Sequence, residues 1–541
     1  MKLRSTTPTR FGALLLASTL LVAGCADSGG KDDKDADKDA GSSMSKDEIW
    51  SAGVFGEESP GQPKAGGVLT VADYGEPRSL DPTVTIPNGA VGASAMAAIY
   101  DLLVRWDNEA GEYVPQLAES LSSEDDVTWT LKLRKGATFS DGTPVNAAAV
   151  MGSIGYYMQN QGFNVLILAT NLKEMKPVDE LTVDFVMNAP YASFPAMLAT
   201  GPGMVLAPAA IKGGPKKFTP IGAGPFVFDS YKPSEELVLT RNDAYFGEKA
   251  HLDGLRFVWP SSDAARIDAL KNGDVDQVSV RTPQIVEEAR TDGVHGALSP
   301  VGLGNMIQIN HREGRPGADL RIRQAMSLAI DPQAYLDRTA DGHGIASRNI
   351  YSPSAPYYTE IETPETDLEA AKKLVAEAKA DGVDTTVSYI GQSDQTSKTA
   401  AVTIEAMLEA VGLTVEVELL NNIADQTSRI YVTHDFDIAG GSISIPIDDP
   451  FSRFTSGVLG SSPANSFGYD NPEMNELIGR LQAATGEEAT EILTRINELW
   501  QETLPSVPLS PGGFFFPWSD DVHGIVPASE FLLLYGGAWK S

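Results

Sequence analysis

The side chains that most often carry out catalysis are scattered through this sequence. Its six histidines are isolated from one another, at positions 251, 295, 311, 343, 434 and 523. The chain has no glycine-rich phosphate loop, no Gly-x-Ser-x-Gly nucleophile motif, no His-Glu-x-x-His zinc motif and no Cys-x-x-Cys pair. Carboxylate pairs such as Asp448-Asp449 are expected by chance among 73 acidic residues. The sequence therefore favours neither catalysis nor a cofactor or metal centre, and an enzyme is not expected.

One short segment has the composition of a binding loop. Gly440, Gly441, Ser442 and Ser444 follow an apolar stretch over 436–439, which predicts a strand. Glycine lets a ligand approach the backbone closely, and hydroxyl groups recognise neutral polar ligands without a charge. The segment is a candidate ligand site, and the alternative is a tight loop at the end of a strand that touches no ligand.

The elements before this segment indicate how it would be placed. The residue pattern predicts a strand over 386–390, a helix over 398–411, a strand over 413–419, a short helix and the strand over 436–439. This βαβαβ order predicts an open α/β sheet with right-handed crossovers. Such sheets bind ligands beyond the carboxyl ends of their strands, where the glycine–serine segment lies.

The first 25 residues have the layout of an export signal. Basic residues at positions 2, 4 and 10 precede an apolar run over 11–22, which is too short to span a bilayer. The run ends in Leu21-Val-Ala-Gly-Cys25, which resembles the lipobox of bacterial lipoproteins. That resemblance implies a signal peptide over 1–24 and a lipid on the Cys25 sulfur. The alternative is a secretory signal with a chance cysteine.

Composition limits the remaining classes of protein. Cys25 is the only cysteine, so disulfides within the chain are excluded and the fold must be held by core burial. The net charge of −32 argues against nucleic-acid binding and against adsorption to anionic lipid. No later segment is long and apolar enough to cross a membrane, and a monomer is expected. We therefore expect a lipid-anchored protein at the extracytoplasmic face of the cell membrane, on the cell surface or in the periplasm.

The segment over 25–65 is polar and mixed in charge, which predicts a disordered tether between the lipid and the folded part. An apolar exception, with Ile49, Trp50, Val54 and Phe55, either docks on the folded part or has no role.

Several segments in order along the chain resemble one known family. They are Ser79-Leu-Asp-Pro82, Ile99-Tyr-Asp-Leu-Leu-Val104, Pro115-Gln-Leu-Ala-Glu-Ser120, the stretch over 131–144, Gly222-Ala-Gly-Pro-Phe226, Arg241-Asn-Asp-Ala-Tyr-Phe246, the stretch over 321–331 and Phe467-Gly-Tyr-Asp-Asn-Pro472. Together they resemble the extracellular solute-binding proteins of family 5. Members of this family include the oligopeptide-, dipeptide- and nickel-binding proteins of ABC importers.

The resemblance implies an α/β fold of the periplasmic-binding-protein type (type II, three-domain cluster C), with mixed sheets, two lobes and a hinge. It implies a discontinuous domain I over 66–104, 221–304 and 509–541. Domain II would then cover 105–220, and domain III would cover 305–508 and contain the βαβαβ unit.

The resemblance also implies ligand contacts on two sides of a cleft. Aligned on Asp449-Pro450, this chain has Ile443 where peptide-binding relatives have tryptophan, and Pro446 where they have the aspartate that binds the peptide amine. Asp448 is a candidate replacement for that carboxylate. The expected ligand-binding residues are Thr85, Ile86 and Asn88 in domain I, and Asn310, Gly441, Ser442, Ile443, Ser444, Pro446 and Asp448 in domain III.

The function implied is capture of an oligopeptide or a peptide-like solute for delivery to the membrane-embedded permease subunits of an ABC importer. An alternative keeps this fold and binds a neutral oligosaccharide, a metal chelate or another metabolite. Alternatives of a different class are an extracytoplasmic hydrolase and a ligand sensor.

Overall fold

A computed structural model describes residues 44–56 and 61–541. The predicted signal peptide and Cys25 lie outside the described residues, as does most of the predicted tether. Among the described residues, none of the helices has the length and apolar character needed to cross a membrane.

The helices are α1 Lys46–Ile49, α2 Ala93–Tyr100, α3 Ala147–Gln159, α4 Val165–Asn171, α5 Phe194–Leu198, α6 Pro208–Ile211, α7 Asp263–Lys271, α8 Pro283–Thr291, α9 Leu320–Ala329, α10 Pro332–Thr339, α11 Leu368–Ala380, α12 Gln395–Glu409, α13 Ile423–Tyr431, α14 Pro450–Gly457, α15 Pro472–Leu481 and α16 Gly486–Thr503. Short 3-10 turns occur at Gly201–Gly203, Pro215–Lys217 and Pro316–Ala318.

The strands are β1 Gly53–Phe55, β2 Val68–Ala72, β3 Val104–Asp107, β4 Glu112–Pro115, β5 Ala118–Ser122, β6 Thr128–Leu133, β7 Leu172–Pro177, β8 Thr182–Met187, β9 Phe226–Lys232, β10 Glu236–Arg241, β11 Gly254–Val258, β12 Gln277–Val278, β13 Gly296–Ile309, β14 Thr386–Gln392, β15 Thr414–Leu420, β16 Ile438–Gly441, β17 Ile445–Pro446, β18 Ser506–Pro517, β19 Val522–His523, β20 Val526–Pro527, β21 Leu533–Leu534 and β22 Trp539–Lys540.

Two of the larger sheets follow from local sequence alternation. In β6, Trp129, Leu131 and Leu133 are buried and the residues between them are more exposed, so the strand packs one face on the core. It lies in an antiparallel sheet of order β5-β6-β8-β7. A second sheet has the order β12-β2-β11-β10-β9, in which β2 runs parallel to β11 and β12. These sheets lie within the ranges predicted for domains II and I.

The third large sheet contains the predicted βαβαβ unit. β14 runs parallel to β15 on one side and to β16 on the other, with α12 and α13 as the crossovers. The open α/β sheet predicted from the sequence is therefore present. The carboxyl end of β16 leads directly into Ser442.

Two long antiparallel strands, β13 and β18, connect this sheet with the rest of the molecule. The predicted boundaries between domains I and III, near residues 304 and 508, fall inside these strands. Their pairing is irregular between Val301 and Asn305. The domain boundaries themselves stay a prediction.

Residues 44–56 pack on the folded part, so the predicted disordered tether does not extend over them. Ile49 and Trp50 are buried against α8, and β1 pairs with β13 through Gly53 and Leu298. The Trp50 indole nitrogen donates to the Glu287 carboxylate at 3.1 Å. The disordered tether does not hold over these residues, and the alternative of docking on the folded part does, because the few apolar residues of the segment find buried partners.

Candidate functional site

A cavity lies between the three predicted domains, and we call it the interdomain cavity. The cavity is narrow: the space open to the centres of water molecules is about 10 Å³, which is room for about one water. Domain I contributes Asn88, Ser529 and Glu530; domain II contributes Asn164, Ala196, Met197 and Thr200; domain III contributes Pro446, Asp448, Asp449 and Ser452. The structure therefore brings three of the predicted site residues, Asn88, Pro446 and Asp448, to one cavity.

The domain III wall is positioned by a short strand and a helix start. In β17, Ile445 and Pro446 pair with Gly302 and Val301 of β13. Three residues later, Asp449 caps α14, because its carboxylate accepts from the backbone NH of Ser452 at 3.3 Å. Asp448 is held between these two anchors, where its carboxylate accepts a 3.3 Å hydrogen bond from the Tyr113 hydroxyl.

Acidic side chains from domains I and III, namely Glu530, Asp448 and Asp449, line the interdomain cavity together, and we call them the acidic wall. Glu530 accepts hydrogen bonds from Arg453 at 3.2 and 3.3 Å, and its side chain is only 6% exposed. Burial raises the pKa of Glu530 to about 7, outweighing the nearby Arg453 guanidinium. Burial likewise raises the pKa of Asp449 to about 7, and it also raises the pKa of Asp448. Three carboxyl groups thus share a poorly hydrated region with a single guanidinium in direct contact.

Arg453 connects all three predicted domains. It lies on α14 of domain III, pairs with Glu530 of domain I, and places its guanidinium carbon 4.9 Å from the centre of the Phe163 ring in domain II. A cation over an aromatic face is attracted by the ring quadrupole. These contacts connect the three predicted domains at the interdomain cavity.

The domain I wall is a loop held by its own side chains. The Thr85 hydroxyl accepts from the Ser79 backbone NH at 3.1 Å and donates to the Ser79 carbonyl at 2.6 Å. Thr85 therefore shapes the loop, and Ile86 projects to solvent with 48% exposure. Asn88 is buried at 4% exposure, and its Oδ1 has no hydrogen-bond partner among the described residues. A buried amide oxygen without a donor is costly, which is typical of a position that a ligand or water completes.

The other predicted residues are placed away from the cavity lining. Gly441 is part of β16, and a side chain there would meet the Gln308 amide. Ser442 is exposed, and the Ser444 hydroxyl lies 3.4 Å from that of Ser442. The Ile443 backbone NH donates to the Leu303 carbonyl at 3.1 Å.

The hydrogen bonds of the Asn310 side chain stabilise the fold and are made within the protein. Its amide nitrogen donates to the carbonyls of His434 and Phe436, and its amide oxygen accepts from Arg312. The side chain thereby joins the loop after β13 to the loop between α13 and β16.

Most of the lining residues were not predicted from the sequence, among them Asn164 and Glu530, and neither were the supporting residues Tyr113 and Arg453. Glu530 lies more than 400 positions from Asn88 in the chain, and no motif marks it. It adopts a left-handed backbone conformation, with φ of 49°. A lone acidic residue in a chain this acidic carries no signal until the fold places it beside Asp448.

A second cavity, which we call the flanking cavity, adjoins the first, and the space in it that is open to the centres of water molecules is about 30 Å³. The two share Pro446, Asp448 and Glu530. The rest of the flanking cavity is lined by Ala52, Gly53, Val54, Trp106, Asn108, Leu298, Ser299, Pro300, Ile447, Pro527 and Ala528. Across the described part of the chain, no group of three or more His, Cys, Asp or Glu side chains is arranged to hold a metal ion.

Comparison with known proteins shows which family has this architecture. The profile of the bacterial extracellular solute-binding proteins, family 5, matches residues 112–465. A probable D,D-dipeptide-binding periplasmic protein of Escherichia coli is 27% identical over 446 residues, covering 78% of this chain and 83% of that protein.

Solved structures share the fold. A periplasmic binding protein of Helicobacter pylori in complex with the peptide STSA superposes with a TM-score of 0.74 at 22% identity, covering 88% of this chain and 98% of that one. The NikA protein of Brucella suis in complex with Fe(III)-EDTA gives 0.74 at 23% identity, covering 88% and 100%. The predicted fold class is confirmed, as is the expectation of a binding protein and not an enzyme. The chain belongs to the bacterial extracellular solute-binding proteins of family 5.

Proposed function

We propose that this protein captures a peptide or peptide-like solute outside the cell and delivers it to the permease subunits of an ABC importer. The observation that carries the proposal is the interdomain cavity, which is lined by both the buried oxygen of Asn88 and the side chain of Asp448. A peptide offers an amide NH for the Asn88 oxygen, which lacks a donor, and an amine for the Asp448 carboxylate, which accepts from the neutral Tyr113 hydroxyl.

Two relatives support the substrate class. The Escherichia coli relative carries the name of a dipeptide-binding protein, and the Helicobacter pylori structure contains a bound peptide. In the present chain, Pro446 has no carboxylate, so the amine would be recognised by Asp448 with Glu530 close by.

The proposal includes the membrane attachment implied by the sequence. A diacyl group on Cys25 would hold a monomeric protein at the extracytoplasmic face of the membrane, near the permease. Replacing Cys25 with serine should release the protein into the medium or leave it unprocessed. A mature-sized, membrane-bound Cys25→Ser protein would contradict the lipid anchor.

The binding site can be tested by calorimetry with free di- and tripeptides. Asn88→Ala and Asp448→Asn should each weaken binding of a peptide that the wild-type protein binds, because each removes an acceptor from the cavity. Asp268→Asn, an exposed change on α7, is the matched control and should have no effect. Unchanged affinity in both cavity variants would place the site elsewhere.

The cargo can be identified by native mass spectrometry of protein purified from its host. A retained peptide or peptide-like molecule would support the proposal. A retained oligosaccharide or metal chelate would overturn the substrate class and leave the binding role intact.

A further inference from the structure

The N-terminal segment over 44–56 is bound to the folded body by several independent contacts. The Lys46 ammonium donates to the carbonyls of Gly342 and Gly344 at 2.6 and 2.8 Å. The Arg290 guanidinium carbon lies 3.2 Å from the centre of the Phe55 ring, and its nitrogens donate to the carbonyls of Glu48 and Ile49. These contacts place residues 52–54 at a defined position.

That position is one wall of the flanking cavity. Ala52, Gly53 and Val54 face Trp106 and Pro527 across it. Most of the lining side chains are apolar, and Trp106 is itself held in place by packing on Tyr113 at a ring distance of 4.9 Å. An apolar cavity with an aromatic wall is suited to an apolar side chain of a ligand.

The boundary between the two cavities has the opposite chemistry. Asp448 and Glu530 line both cavities, and they offer only acceptor oxygens when ionised. The Asp448 carboxylate accepts from the neutral Tyr113 hydroxyl and also interacts with the Ser529 hydroxyl. Glu530 pairs with Arg453, whereas Asp448 forms no ion pair with a described residue. The buried Asn88 oxygen adds a further acceptor on the facing wall.

We propose that the ligand site extends into the flanking cavity and that residues 52–54 close it, so that the cargo carries a cationic nitrogen at Asp448 and Glu530 and an apolar group between Val54 and Trp106. The inference rests on the proposed function and adds a property to it: part of the N-terminal extension that leads to the membrane also contributes to ligand selectivity.

The test uses isothermal calorimetry with trialanine and with the three tripeptides in which one alanine is replaced by phenylalanine. Each peptide is measured with a free and an acetylated amine. The wild-type protein should bind at least one phenylalanine isomer about tenfold more tightly than trialanine. Acetylation should weaken binding of both, because it removes the cationic nitrogen.

Val54→Trp is the decisive variant, since its larger ring would fill the flanking cavity. It should reduce the affinity for the preferred phenylalanine isomer to that for trialanine and leave trialanine binding unchanged. Met44→Trp, an exposed change in the same segment, is the matched control and should keep the preference. Val54→Ala provides a second variant if the tryptophan displaces β1; Val54 is 43% exposed, so its truncation spares the fold while reducing the preference several-fold.

The outcomes separate the two proposals. If the wild-type protein prefers phenylalanine and both Val54 variants keep that preference, the N-terminal wall is wrong and the peptide function stands. If all four peptides bind equally, the apolar subsite is wrong. If acetylation has no effect, the cationic recognition is wrong. If the wild-type protein binds none of the peptides, the proposed substrate class fails and this inference fails with it.

Discussion

The N-terminal segment over 44–56 and the acidic wall, formed by Asp448, Asp449 and Glu530, pack on the same body, but their polar groups are satisfied to different extents. The Trp50 indole, the Lys46 ammonium and the Arg290 guanidinium all have protein partners at hydrogen-bond distance. On the acidic wall, three carboxyl groups share one guanidinium, and burial raises their pKa values. Complete pairing stabilises a structure, whereas incomplete pairing leaves binding capacity for a ligand.

The largest effect on stability should come from a substitution in the N-terminal segment, where the polar groups named above have protein partners. Trp50→Ala should lower the free energy of unfolding by about 3–5 kcal/mol, because it removes a large buried side chain and leaves Glu287 without its indole donor. Chemical denaturation measures the loss. Met44→Ala, exposed in the same segment, should change the free energy by less than about 0.5 kcal/mol. A small effect of Trp50→Ala would show that the segment is only loosely attached.

The second-largest effect on stability should come from removing Arg453, the cation that pairs with the acidic wall. Arg453→Met should cost about 2–3 kcal/mol at pH 8, because Glu530 is then a buried charge without its partner. The loss should be smaller at pH 5, where Glu530 is protonated. The double variant Arg453→Met with Glu530→Gln should recover much of the stability at pH 8. An equal loss at both pH values would contradict a titrating Glu530.

A third effect is the pH dependence of the ligand-free protein. The pKa of Glu530 is raised by burial from its ordinary value near 4.5 to about 7. The native state therefore holds a proton that the unfolded chain has released, so stability is greatest below pH 4 for this group and falls as the pH rises to 7. The fall should be of the order of 2 kcal/mol between pH 5 and pH 8, and Asp449 adds to it in the same direction.

Glu530→Gln should reduce this fall, and the exposed change Glu416→Gln should leave it unchanged. Affinity for a cationic ligand should depend on pH in the opposite sense, rising as Glu530 ionises, until the ligand amine itself loses its proton. Thermal unfolding and calorimetry across the same pH series measure both. Parallel trends in stability and affinity would contradict the proposed role of the acidic wall.

The smallest effect on stability should come from Asn88→Ala. The Asn88 Oδ1 has no protein partner among the described residues, so its removal should change the free energy of unfolding by less than about 1 kcal/mol. Peptide affinity should nevertheless fall. Thr85→Ala, by contrast, should lower stability, because the Thr85 hydroxyl holds the loop through two hydrogen bonds to Ser79. If Asn88→Ala destabilises the protein as much, Asn88 is a structural residue.

The local sequence pattern determined those strands and helices that form through residues close together in the chain. The alternation over 127–133 sets the register of β6, and the apolar and helical periods over 386–441 produce the parallel β14, β15 and β16. Ordered motifs along the chain were specific enough to indicate the family. These features were accessible because their physical cause, the burial of one face of a strand or helix, repeats along a few consecutive residues.

Tertiary structure alone decided which side chains meet. The glycine–serine segment has the composition of a pocket, yet Gly441 is taken up by pairing in β16 and Ser442 is exposed. Asn88, Asp448 and Glu530 meet although they are distant in the chain, and Trp50 is buried although its neighbours are polar. Burial, pKa and pairing are set by groups that the sheets and the paired strands β13 and β18 bring together, and such contacts have no period along the linear sequence.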